Sequence, residues 1–304
     1  MKKILSISFG SSARDHTTVH TFLGQECELS RKGTDGDFDL AVHRYAEFDG
    51  KVDAFGVGGT EFYLDVAGKR YHFRDVQRIR AAVRISKIGD GNGIKNILSK
   101  RAFDALEKKL NEEGKTLKGM TALKTTAVDR YGMAKAMVDA GCDVTFGDFM
   151  FSLGLPIPVK KLSTVRTLAA VLLPVITRLP YMWFYPTGEQ QDRDPISRWG
   201  KYFAQAQVIA GDFLQIHKYM PVDLKGKIVV TNTTTAKNVE ELRQRGLHLL
   251  VTTTPRYEGR SFGTNVMEAA LLALMDKPQA EVTPQDFLDL IDRIPLRPNI
   301  EVLD

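Results

Sequence analysis

The chain has only two cysteines, Cys27 and Cys142, far apart and without a partner pattern. That excludes a disulfide framework and a thiolate metal centre, and it points to a reduced, cytoplasmic setting. Its histidines form no helical pair and no cluster with aspartate, so no metal is expected. Runs of like charge are missing too. Lys and Arg total 42 against 37 Asp and Glu, a net +5 spread along the chain. Nucleic acid is thereby excluded as a partner, while a small anionic metabolite would be attracted. There is no G-x-S-x-G elbow for a serine nucleophile, no internal repeat and no low-complexity tract.

An uninterrupted membrane-spanning run is also missing. The most apolar stretch, Leu168–Pro186, is broken by Thr177, Arg178 and three prolines, Pro174, Pro180 and Pro186. A bilayer span needs about 20 apolar residues with intact backbone hydrogen bonding. The stretch is expected instead to lie against a second subunit, making a homodimer, or to fold over a cleft as a lid. The first ten residues hold too short an apolar run for a signal peptide and read as a first buried strand.

What the chain does have is a regular alternation of strand and helix patterns. Before residue 114 it is irregular: a strand Lys3–Phe9, hairpins around Gly24-Gln25 and Ala67-Gly68-Lys69, and helices at 37–48 and 94–110. After residue 114, strands at 120–126, 143–146, 207–210, 227–231 and 248–252 are separated by helices at 132–140, 212–220 and 236–245. Such spacing implies parallel βαβ crossovers. The fold class is α/β, with two Rossmann-like domains, the second a parallel doubly wound sheet. Domain limits fall at 1–113, 114–277 with a helical insertion at 149–201, and a C-terminal helix at 278–304.

Several glycine-rich turns are candidates for a site. The loop Gly259-Arg260-Ser261-Phe262-Gly263-Thr264-Asn265 lies between a strand and a helix, where free N–H groups and the helix dipole favour an anion. Arg260, Ser261, Gly263, Thr264 and Asn265 are therefore read as substrate-binding, with Gly58 and Gly59 of the 56–59 turn facing them. Asp90 and Lys95, in the turn Gly89–Asn96, form a candidate acid/base pair for a hydroxyl proton. The turn after the 120–126 strand carries Asp129, Arg130 and Gly132. Asp148 stands where a dinucleotide fold places its ribose carboxylate, although the first two glycines of that fold's fingerprint are missing. Thr231 and Asn232, at the end of the 227–231 strand, complete the cofactor-binding set.

The runs Asp90–Lys95, Val128–Ala134, Phe146–Asp148 and Gly259–Asn265 resemble a bacterial family labelled quinate 5-dehydrogenase, over nearly the whole chain. That resemblance implies a shikimate/quinate dehydrogenase plan: NAD or NADP as cofactor, a Lys/Asp catalytic pair, and oxidation or reduction of a small polyhydroxy acid. A second reading is a non-redox Rossmann-like protein that holds a phosphorylated or nucleotide-like metabolite.

Overall fold

A computed structural model describes residues 1–183, 198–257, 260–294 and 296–304, the side chains of Met182, Tyr257, Arg260 and Ser261 excepted. The first half runs Lys2–Ser8 (β1), His16–Phe22 (β2), Gln25–Gly33 (β3), Phe38–Phe48 (α1) and Ala54–Gly58 (β4). A hairpin of Tyr63–Val66 (β5) and Lys69–His72 (β6) follows, then Gln77–Ala82 (α2), Lys87–Gly89 (β7) and Lys95–Glu112 (α3). Its sheet has the order β2-β3-β1-β4-β7, with β2 antiparallel at one edge and the other four strands parallel. β1 is buried through its last five residues, as a central parallel strand covered on both faces must be.

The second half runs Thr121–Lys124 (β8), Tyr131–Asp139 (α4), Asp143–Phe146 (β9), Asp148–Leu153 (α5), Leu162–Ile176 (α6), Gly200–Gln205 (α7) and Val208–Ala210 (β10). Phe213–Tyr219 (α8), Ile228–Thr231 (β11), Ala236–Gln244 (α9) and Leu249–Thr252 (β12) come next. The short strands Arg256–Tyr257 (β13) and Arg260–Ser261 (β14) lead to Thr264–Leu274 (α10), Pro284–Arg293 (α11) and Asn299–Val302 (β15). Its sheet has the order β15-β12-β11-β10-β8-β9, parallel except for β15. The α/β class with parallel sheets is thus the observed architecture.

Two features differ from the pattern in the sequence. β15 adds an antiparallel edge to β12; four residues following Pro298 are too few for periodicity to reveal. More consequentially, α10 leaves the second sheet and lies on the first. Its Met267, Ala270 and Leu271 share a core with Ile4 and Ala54, joined by Phe287 and Ile291 of α11. A helix buried nearly all round carries no stripe to say which sheet it covers.

Gly56 lets α10 approach. A Cβ there would stand 2.9 Å from Asn265 Nδ2 and 3.1 Å from the Asn265 carbonyl oxygen. Gly56→Ala should therefore force α10 off β4 and lower stability by about 1–3 kcal/mol, measured as a lower urea midpoint at unchanged m-value.

The segment expected to be a lid or dimer contact begins in α6, which ends at Ile176. The inner face of α6 joins two cores: Val165 packs with the second half, and Ala169 and Leu173 with the first, where Tyr181 beyond the helix joins them. Val171, Val175 and Trp183 are exposed on its outer side, and residues 184–186 lie outside the described set. Among the described residues no helix is long and apolar enough to cross a membrane, and no group of three His, Cys, Asp or Glu could hold a metal.

Candidate ligand-binding cleft

In the second sheet β8 and β10 are neighbours, yet the chain leaves β8 toward β9 on one side and returns through the insertion to β10 on the other. Such a reversal of strand order opens a crevice at the carboxyl ends. The turns after β8 (Asp129, Arg130), β10 (Asp212) and β11 (Asn232–Thr235), with the first residues of α8 (Phe213–Gln215), form one wall of a cavity of about 270 Å³. The facing wall comes from the ends of β1 and β4 (Ser8, Gly58, Gly59, Thr60, Glu61), from Asp90 after β7, and from Phe262–Asn265 ahead of α10. Tyr181, at the end of the insertion, borders the cavity as well.

A line of charge crosses from one half to the other. Lys95 Nζ stands 2.5 Å from Glu61 Oε2 and donates to the Asp129 carbonyl oxygen at 2.9 Å. The Asp129 carboxylate lies 3.8 Å from Arg130 Nε, and Arg130 Nη2 lies 3.5 Å from Asp212 Oδ2. Asp212 Oδ2 accepts from Asn232 Nδ2 at 2.7 Å, and Asn232 Oδ1 accepts from the Phe213 amide at 3.1 Å.

Burial pushes the Glu61 carboxyl above its ordinary range, with the Lys95 ammonium pulling against it. Burial also works to raise Asp129, but Arg130, Lys95 and Lys124 outweigh it and hold that carboxyl below its ordinary value. Lys124, fully buried with its Nζ donating to the Thr126 carbonyl at 2.6 Å, is pushed down to about 8 by burial. Glu268, beneath the cleft on α10, is pushed up to about 8, first by burial and then by Asp90.

The turn after β8 does not fit a dinucleotide. Asp148 Oδ1 accepts from the Val128 amide at 2.9 Å, and the Ala127 amide also bonds this carboxylate. The N–H groups a pyrophosphate would need are therefore engaged by the chain's own carboxylate. Gly132 serves a different purpose: a Cβ there would collide with the Asn96 side chain, so it lets α4 meet α3.

Residues 93–303 match a family model described as "Domain of unknown function (DUF8754)", and residues 3–90 match "Domain of unknown function (DUF8753)". The chain belongs to the first of these families. A search of curated proteins found no match. Similar solved structures include a galactofuranose binding protein, at 11% identity over 100% of this chain and 95% of that one, TM-score 0.37. Another is the periplasmic binding protein component of the arabinose ABC transporter from Shewanella sp. ANA-3, at 10% identity over 96% and 95%, TM-score 0.36. A glutamate dehydrogenase matches at 13% identity over 96% and 71%, TM-score 0.38.

These findings overturn the resemblance to quinate 5-dehydrogenases. The matching families are domains of unknown function, and several of the similar structures are sugar-binding proteins. The NAD(P)-dependent oxidoreductase reading, its phosphorylated or nucleotide-like alternative and the cytoplasmic location are withdrawn with it. At TM-scores below 0.5 the likenesses say nothing of this chain's own ligand or compartment, which has to be read from the cleft.

Of the residues singled out in the sequence, Asp129, Arg130, Asn232, Gly58, Gly59, Asp90, Gly263, Thr264 and Asn265 line this one cavity. Lys95 lies behind its wall and pairs with Glu61, not with Asp90, whose carboxylate is taken up by the Phe62 and Asn92 amides and the Asn92 side chain. Thr231 is buried and donates to the Gly211 carbonyl oxygen. Asp148 is absent from this lining and caps the turn after β8. The backbone of Arg260 and Ser261 forms β14, but their side chains and Gly259 lie outside the described set. Missed altogether were Glu61, Asp212 and Thr233–Thr235. Asp212 and the threonines follow parallel strands next to the reversal of strand order, a signal open to sequence reading; Glu61 sits in no motif.

Proposed function

We propose that the protein binds a small, hydroxyl-rich metabolite in the cleft between its two sheets. The observation that carries this reading is the state of the cleft's charges. Arg130 already faces two carboxylates, Lys95 faces Glu61, and Arg31 pairs with Asp15 at 2.8 Å. At Arg130, Lys95 or Arg31 a phosphate would have to displace one of these carboxylates. A hydroxyl needs no such exchange, since it donates to Asp212 and accepts from Arg130, Asn232 or a threonine. Hydrogen bonds to charged groups are worth about 1.5–3 kcal/mol each, so three or four of them would hold a pentose-sized ligand.

Thermal shift with pentoses, hexoses and polyols, set against nucleotides and inorganic phosphate, tests this. A ligand at a hundred times its Kd adds about 2.7 kcal/mol, several degrees in Tm. A rise with a polyhydroxylated compound that disappears in Asp212→Ala is the expected result. A rise confined to nucleotides or phosphate would overturn the reading.

A further inference from the structure

Between Asp148 and Glu189 the sequence holds four cations, Lys160, Lys161, Arg166 and Arg178, and no acidic residue. All four are exposed, and among the described residues none pairs with a carboxylate. Lys160 and Lys161 precede the first turn of α6, Arg166 lies within the helix and Arg178 stands just past its end. Arg74 adds a fifth exposed cation from the first half, its amide donating to the Thr177 carbonyl oxygen at 3.0 Å. The acid next to it, Asp75, is spent on the Val76 and Tyr181 amides.

Apolar side chains are exposed on the same segment. Val171 is 66% exposed and Val175 63%, one turn apart on α6 and opposite its buried residues. Leu179 and Trp183 continue the same four-residue spacing beyond the helix, Trp183 at 71%. Exposed apolar groups among unpaired cations fit a surface that is anionic outside and apolar beneath. We propose that this face docks on an anionic lipid bilayer, with α6 lying in the plane of the surface. The two valines and Trp183 enter the headgroup boundary, where tryptophan is favoured, and the cations meet lipid phosphates. At 15 residues α6 is too short to span the bilayer it rests on.

Co-sedimentation of the whole chain with phosphatidylcholine vesicles, with and without phosphatidylglycerol, tests this. Binding to the mixed vesicles is expected, roughly tenfold weaker to phosphatidylcholine alone and weakened by salt. Val171→Glu combined with Val175→Glu, at two exposed positions, should weaken it by a further factor of roughly ten. Lipids brominated in their acyl chains should quench Trp183, while Trp199, 6% exposed, should be spared. No binding, equal binding to both kinds of vesicle, or binding undiminished in the double variant would each overturn the proposal. So would a dimer in sedimentation equilibrium that the double variant dissolves, which would give this face to a second copy. Should the double variant fail to fold, quenching of Trp183 in the unaltered chain decides it.

Discussion

Lys95→Met is expected to lower the stability of the folded chain by about 3–5 kcal/mol, because it leaves one half of a buried ion pair without the other. Lys95 is only 4% exposed, and its ammonium is held between Glu61 and the Asp129 carbonyl oxygen. Methionine fills the same volume but supplies no donor, so Glu61 must take up a proton to remain buried. Glu61→Gln added to Lys95→Met should recover part of the loss, because a neutral amide tolerates the site better than a lone carboxylate. Urea unfolding of both single variants and the double variant measures the coupling. Single losses that simply add would show that Lys95 and Glu61 do not depend on each other.

The second large effect is on the pH dependence of stability. Glu268, 7% exposed, has a carboxyl carried from an ordinary 4.5 to about 8, with its Oε2 accepting from the Gly91 amide. The folded state therefore holds that proton more tightly than the unfolded state does. The contribution is fully present below pH 4.5 and is lost as pH rises toward 8. Ionising this group in place costs up to about 5 kcal/mol. Depressed carboxyls such as Asp49, held low by the Ser86, Arg84 and Ile85 amides against the effect of burial, act in a separate and more acidic window. Glu268→Gln should flatten the fall in stability between pH 5 and 8 and leave the acid limb in place. An unchanged slope in urea midpoints across that range would show that Glu268 is ionised in the folded protein throughout.

Much of the second half could be read in the sequence because its strands are short apolar runs separated by helices, three of them capped by a side chain. The Asp143–Phe146 strand and the Thr283-Pro284 start of the last helix lie where local chemistry puts them. Both are local signals: a period, and a threonine whose side chain accepts from the amide three residues on. Glycines at strand ends likewise marked the cleft, since Gly58, Gly59 and Gly263 meet there from opposite halves.

What local pattern could not convey was pairing across the chain. Lys95 was matched with Asp90, its neighbour in the same turn, but its partner Glu61 arrives from a loop 34 residues away. Asp148 stood at the right sequence distance for a ribose and instead caps the turn that such a cofactor would occupy. α10 follows the last parallel strand in order, yet it crosses to the first sheet because Gly56 leaves room for Asn265. Each of these depends on tertiary contact, which periodicity does not contain.

Hydrogen exchange of the chain with and without its best polyhydroxylated ligand tests the cleft most directly. Slowed exchange at Asp129–Tyr131 and Asn232–Thr235 on one wall, together with Gly58–Glu61 and Thr264–Asn265 on the other, is the predicted result. Protection on one wall alone, or none at either despite saturating ligand, would contradict a ligand held between the two sheets.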